Sequence, residues 1–174
     1  IRAGPVFDEE FRAKLFDLSK WRRDVRHFKS DPVDEQIILD CLEEATHAPS
    51  VGNSQPWRFV FVEDAEKRAR LAEYFEQENE KALKSYINER AEKYAKLKLE
   101  GIRQAPVQIS VFADTGTKVG YNLGSRSMPQ SKIYSVVAAI QVLWFLLRSY
   151  GVGLGWVSIL PPDKMTGLMD VDPD

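Results

Sequence analysis

Three short segments of the chain carry side chains whose types and spacing suit binding or catalysis. In Trp21-Arg22-Arg23-Asp24-Val25-Arg26, three guanidiniums fall within five positions. Like charges so close repel unless an anion or a carboxylate sits among them, and arginine's planar donor fork suits bidentate contact with phosphate or carboxylate. Taken alone, the segment reads more plainly as a basic helix end offsetting the helix dipole, with Asp24 as an internal counter-ion. In Ala48-Pro49-Ser50-Val51-Gly52-Asn53-Ser54-Gln55-Pro56-Trp57, hydroxyls, two side-chain amides and a glycine share one loop. Asn53 and Gln55 each offer a donor and an acceptor, as the mixed edge of a flavin ring or a nucleobase requires. The same residue types also build an ordinary turn. In Gly151-Val152-Gly153-Leu154-Gly155-Trp156-Val157-Ser158, glycines would let the backbone approach a flat ligand closely, or simply cap a helix and turn.

Other chemistries find no support in the residue pattern. The glycines at 151, 153 and 155 follow an expected helix and lead into an expected strand. A dinucleotide-binding turn has the reverse order. His27 and His47 are the only histidines, and no cysteine or carboxylate cluster has metal-ligand spacing, so no metal is expected. No glycine-rich loop with Lys-Ser or Lys-Thr is present for a nucleoside triphosphate. Cys41, the single cysteine, lies on the apolar face of an expected helix and reads as a buried structural thiol.

Those segments must be held by a core, and the bulk numbers allow one. A chain of 174 residues, 44% hydrophobic and 29% charged, suits one α+β domain over 1–174. A formal net charge of −2 gives no basic excess for nucleic acid or an anionic membrane, and neither is expected as a partner. A lone cysteine cannot form an intrachain disulfide, which fits a reducing, cytoplasmic setting. No segment reads as having the length and apolarity of a membrane span. The most apolar stretch, 136–147, is interrupted by Gln141 and reads as a buried helix.

The spacing of apolar residues orders the elements. Phe7, Phe11, Leu15 and Leu18 predict a helix over 7–21, with Asp8, Glu9 and Glu10 at its positive end. Ile37, Ile38, Cys41, Leu42 and Ala45 predict a second, stopped by Ala48-Pro49. Residues 57–62 and 107–113 read as strands. The charged stretch 65–102, with few large apolar anchors, reads as two helices lying largely on the surface and broken between Leu83 and Asn88. After a polar loop over 114–130, a long buried helix over 131–150 should stop at Gly151 in a left-handed cap. A short strand over 154–159 and a last helix opened by Pro161 and Pro162, ending near Met169, complete the order.

Together and in this order, the three segments resemble the FMN-dependent nitroreductase superfamily, from about Trp21 onward. Arg-Arg-x-x-Arg resembles the element that binds the FMN phosphate and ribityl chain, at Arg22, Arg23 and Arg26. Pro-Ser-x-x-Asn-x-Gln-Pro-Trp resembles the loop that contacts the flavin, at Ser50, Asn53 and Gln55. Gly-x-Gly-x-Gly-Trp resembles the segment passing the N5 edge of the ring, at Gly155, Trp156, Val157 and Ser158. Finer features resemble the 5,6-dimethylbenzimidazole synthase family. Asp24 stands where ordinary nitroreductases usually carry Ser, and Gly-Trp-Val-Ser-Ile occupies 155–159. Residues 92–103, including Leu99, are similar to that family's lid over the flavin, and Asn122-Leu123-Gly124, Met128-Pro129-Gln130 and Ile133-Tyr134-Ser135 are similar to its next region.

The resemblance implies a nitroreductase-like fold, a mixed or antiparallel sheet flanked by helices, in a homodimer with a helical lid insertion at about 65–103. It also implies a further strand and an extension beyond Asp174. The implied reaction takes reduced FMN as substrate and dioxygen as co-substrate, and fragments the flavin to dimethylbenzimidazole, the lower ligand of vitamin B12, and a sugar phosphate. A separate flavin reductase is a possible partner. In that reading Arg22 and Arg26 hold the phosphate end, Asn53 and Gln55 fix the ring, Asp24 is general base or proton shuttle, and Ser158 hydrogen-bonds near the reacting edge. The competing expectations are an NAD(P)H-dependent flavin or nitro reductase, a dehalogenating relative, and a non-catalytic flavin-binding module.

Overall fold

Asp8 starts the first helix: its carboxylate accepts a 2.7 Å hydrogen bond from the Phe11 N–H, so α1 runs Glu9–Trp21 rather than from Phe7. The computed structural model describes residues 4–85 and 101–172. The other elements are α2 (Glu35–Ala45), β1 (Trp57–Phe61), α3 (Ala65–Ser85), α4 (Gly101–Gln104), β2 (Ile109–Ala113), α5 (Ser131–Ser149) and α6 (Pro162–Leu168). Short 3-10 turns occupy Val51–Asn53 and Val119–Asn122.

Helix α5 is the axis of the molecule. Lys132, Ser135, Val136, Ala139, Ile140, Leu143, Trp144 and Leu147 are buried along it, at the three- and four-residue spacing of a helix face turned to a core. Cys41 and Ala45 of α2 pack against Leu143 and Leu147. Trp57 of β1 packs against Val136, Ala139, Ile140 and Trp144. Truncating a buried leucine such as Leu143 to alanine costs about 2–5 kcal/mol in a site of this kind. The helix ends as expected, with Gly151 at φ 76°.

Among the described residues the sheet has two strands, β1 and β2, antiparallel, with Trp57 opposite Ala113 and Phe61 opposite Ile109. A third cluster lies beyond it, where Val62, Leu71, Ala72, Phe75, Ile102, Met165 and Met169 are buried together.

Two expectations need correction. Residues 154–159 form no strand: among the described residues their one backbone–backbone bond is Val25 N–H to the Leu154 carbonyl, 3.1 Å, and one bond makes no ladder. The described part of the charged stretch lies largely on the surface, as expected, with Leu71, Ala72 and Phe75 anchoring α3 in the third cluster. Helix Ser131–Ser149 does have the length and apolarity to cross a membrane, with a mean hydropathy of 1.3. Its buried face shows why composition alone misleads: the same apolar residues serve the core. The expected second helix of the charged stretch and Leu99 lie outside the described residues.

Candidate active site

The arginine motif begins where α1 ends. Arg22 is the C-cap residue, and its guanidinium lies 4.7 Å from the centroid of the Trp144 ring on α5. It makes no side-chain hydrogen bond among the described residues, so its donor fork is available to an anion. Arg23 turns back instead: its Nη1 donates to the carbonyls of Lys20 and Arg22 and so satisfies the exposed end of the helix.

Asp24 links this motif to the glycine-rich segment. One carboxylate oxygen accepts a 2.9 Å hydrogen bond from the Trp156 N–H. The other is 3.4 Å from Nε of Arg26, and both side chains stay partly open to solvent, at 38% and 42% exposure. The counter-ion of Asp24 is therefore Arg26 rather than Arg23. Trp156 completes the cluster, with its ring centroid 6.5 Å from that of Trp144.

Glycine is required where these segments cross. A Cβ at Gly155 would lie 2.1 Å from the Val25 carbonyl oxygen, and one at Gly153 would lie 2.8 Å from the Val25 side chain. A Cβ at Gly101 would likewise lie 2.8 Å from the Arg26 carbonyl oxygen. The glycines thus admit the arginine-motif backbone of the same chain. Beside them a cavity of about 660 Å³, within the usual range for small-molecule sites, is lined by Asp24, Arg26, Gly155, Trp156, Val157 and Phe112. Ser158 is exposed, is not among the lining residues, and makes no hydrogen bond among the described residues.

Ser50, Asn53 and Gln55 form a second group. The Ser50 hydroxyl accepts a 3.1 Å bond from the Gln55 N–H. Gly52, Asn53 and Gln55 have φ of 56°, 54° and 44°, a region where a non-glycine residue is strained. The side chains of Asn53 and Gln55 are exposed and carry no hydrogen bond among the described residues, so both amides are open to a ligand. The turn Val119–Asn122 presses on this loop: a Cβ at Gly120 would lie 2.2 Å from the Gly52 carbonyl oxygen.

The structure does not bring the two groups together within one chain. Ser135 of α5 accepts the Val51 N–H at 3.0 Å, while Trp144 of the same helix carries Arg22. Nine residues of helix separate them, about 14 Å along the axis.

One residue escaped the sequence reading. Lys132 is only 5% exposed and donates to the carbonyls of Thr115, 2.8 Å, and Thr117, 2.9 Å, and to Oδ1 of Asn122, 3.3 Å. Ser135 shares its helix face. The signal was a lysine in register with Ser135, Val136 and Ala139, on the buried side of the helix.

The donor set suits FMN. Arg22 offers an uncommitted guanidinium for a phosphate, and Asn53 and Gln55 offer uncommitted amides for the polar edge of a ring. Comparison with known proteins agrees. The chain matches the Nitroreductase family over residues 19–174. It is 49% identical to a 5,6-dimethylbenzimidazole synthase of Rhodospirillum rubrum, covering 98% of this chain and 81% of the relative. It is 41% identical to that of Rhodobacter capsulatus, over 97% and 81%. Oxidized iodotyrosine deiodinase bound to FMN and 3-iodo-L-tyrosine shares the fold with a TM-score of 0.73 at 26% identity, over 91% of this chain and 82% of that one. The chain belongs to the nitroreductase family and, within it, to the family of the 5,6-dimethylbenzimidazole synthases.

Proposed function

We propose that this protein fragments reduced FMN in the presence of dioxygen, giving 5,6-dimethylbenzimidazole and a sugar phosphate. The observation that carries the reading is the Asp24–Trp156 hydrogen bond: it holds a carboxylate between the arginine motif and the glycine-rich segment. The identity to two synthases over almost the whole chain supports it. Reduced FMN supplies the reaction with dioxygen; the protein's part is to bind, orient and move protons.

In this reading Arg22 and Arg26 hold the phosphate, and Arg23 secures the helix end that presents them. Asn53 and Gln55, with Ser50 bracing their loop, take the polar edge of the ring. Asp24 accepts a proton from a ribityl hydroxyl as a carbon–carbon bond breaks. The backbone of Gly155, Trp156 and Val157 and the exposed Ser158 hydroxyl border the reacting edge. The charged insertion at 65–103, anchored by Leu71, Ala72 and Phe75, acts as the lid.

A homodimer belongs to the same proposal. The two groups of ligand-binding residues lie apart in one chain, so a second copy would supply Asn53 and Gln55 to the first copy's arginines. Phe7, Phe11 and Leu15 of the first-helix region are 53%, 44% and 42% exposed, and Ile133 and Tyr134 of α5 are 47% and 56% exposed, apolar surface that a partner would cover. A separate flavin reductase would deliver the reduced FMN.

The test is to mix the protein with chemically reduced FMN in air and analyse the products by chromatography and mass spectrometry. Dimethylbenzimidazole is the expected product. Intact oxidised FMN alone would sink the proposal, and consumption of NAD(P)H in a parallel mixture supplied with it and oxidised FMN would favour a reductase.

A further inference from the structure

Lys132 is a charged side chain in the wrong place unless it has a task. A buried ammonium is expensive to desolvate, and no carboxylate pairs with it among the described residues. Its three donors instead meet three acceptors: the carbonyls of Thr115 and Thr117 and Oδ1 of Asn122. One side chain thus ties both ends of residues 115–122 to the first turn of α5.

That segment bears on the amide-bearing loop through backbone. A Cβ on Gly120, at φ 77°, would lie 2.2 Å from the Gly52 carbonyl oxygen, and one on Gly52 would lie 3.1 Å from the Gly120 carbonyl oxygen and 2.8 Å from that of Leu123. Ser135, one turn beyond Lys132, takes the Val51 N–H and donates its own proton to the Ser131 carbonyl, 2.7 Å. Helix α5 therefore holds the loop directly through Ser135 and indirectly through Lys132. Between those two restraints sit Asn53 and Gln55 in their left-handed conformations. Such backbone persists only where its surroundings over-determine it.

We propose that Lys132 is a positioning residue for the Asn53 and Gln55 amides, acting through residues 115–122 and the Gly120–Gly52 contact. The inference rests on the flavin reading above for what those amides bind. Lysine suits the task because a compact ammonium serves three oxygens from one point, whereas any apolar replacement strands three acceptors.

The test compares wild-type protein with Lys132→Met and Asn122→Gly. The second variant removes one of the three acceptors yet tolerates the φ of 58° found at Asn122. Hydrogen exchange of the flavin-free protein and FMN binding followed by visible circular dichroism are the readouts. Lys132→Met should speed exchange in residues 50–57 while α2 stays as protected as in wild type. FMN affinity should fall about tenfold, with an altered dichroism of the bound flavin, the loss expected when the buried Thr117 carbonyl and its two part-buried neighbours go unmet. Asn122→Gly should give a smaller change of the same kind, and decides the matter if Lys132→Met does not fold. Unchanged exchange in 50–57, or faster exchange with wild-type FMN affinity and dichroism, overturns the proposal. Wild-type protein that binds no FMN would remove the flavin reading itself, while exchange still reports whether Lys132 controls the loop.

Discussion

The carboxylate of Asp24 accepts a 2.9 Å hydrogen bond from the backbone N–H of Trp156, 132 residues further along the chain. This bond orients a side chain that would otherwise swing freely in a half-exposed position. It also couples two motifs that the sequence shows only as separate runs. Because one oxygen is committed to Trp156 and the other leans toward Arg26, the carboxylate can lose its proton-accepting role without losing its place.

Asp24→Asn separates those two roles. The amide oxygen can still accept the Trp156 N–H, so the segment stays where it is, while the basic oxygen is gone. Product formation from reduced FMN should fall by about 10²–10⁴-fold, the usual worth of a positioned proton acceptor. FMN affinity should change little. Binding and product yield measured on the same preparation check this; affinity lost in proportion to yield would show a binding role instead.

The glycine-rich segment makes a contrasting pair. Alanine at Gly155 would bring its Cβ to 2.1 Å from the Val25 carbonyl oxygen, and backbone cannot step aside cheaply. At Gly153 the obstacle is the Val25 side chain, at 2.8 Å, which can turn. Gly155→Ala should therefore cost about 3 kcal/mol and Gly153→Ala about 1 kcal/mol, the two ends of the range for overpacking. Urea unfolding of the two variants tests the order; equal losses would contradict it.

The three arginines should also divide. The Arg22 side chain makes no hydrogen bond among the described residues and rests on Trp144, whereas that of Arg23 is spent on the carbonyls of Lys20 and Arg22. Arg22→Ala should weaken FMN binding about tenfold or more while leaving riboflavin, which lacks the phosphate, much less affected, as expected for a charge-assisted bond. Arg23→Ala should fray the end of α1 and leave the preference for FMN over riboflavin in place. Paired titrations with the two ligands decide between them.

How far the sequence alone reaches can be judged from particular residues. The period of Ile38, Cys41 and Ala45 located α2 and its buried face, and Gly151 marked the end of α5, because both are local signals. The run 154–159 misled because Trp, Val and Ile suit a strand, yet a strand also needs a partner ladder, which no local pattern supplies. Which arginine keeps its donors uncommitted was equally illegible: Arg22 and Arg23 are adjacent and identical in type, and tertiary packing against Trp144 separates them. Lys132 was missed for a related reason, since its acceptors lie in a loop whose path depends on the rest of the fold.

Cys41 offers a test of the core that involves no ligand. It is 2% exposed, packed with Ala45, Leu143 and Leu147, and burial, reinforced by the nearby Asp40 charge, raises its thiol above the ordinary value of 9.0. The folded protein thus keeps a neutral thiol where the unfolded chain would ionise it. Its contribution to stability is complete below pH 9.0 and is lost as the pH climbs from there toward the folded value, by at most about 1.4 kcal/mol per pH unit. Cys41→Ala removes this dependence, at a small fixed cost in packing. Urea midpoints at about pH 8 and about pH 10 should therefore fall further for wild type than for the variant, and lysine and tyrosine titrations cancel in the comparison. A thiol reagent should reach Cys41 only in urea. Parallel losses in the two proteins, or rapid labelling without denaturant, would mean that the face between α2 and α5 opens in the native state.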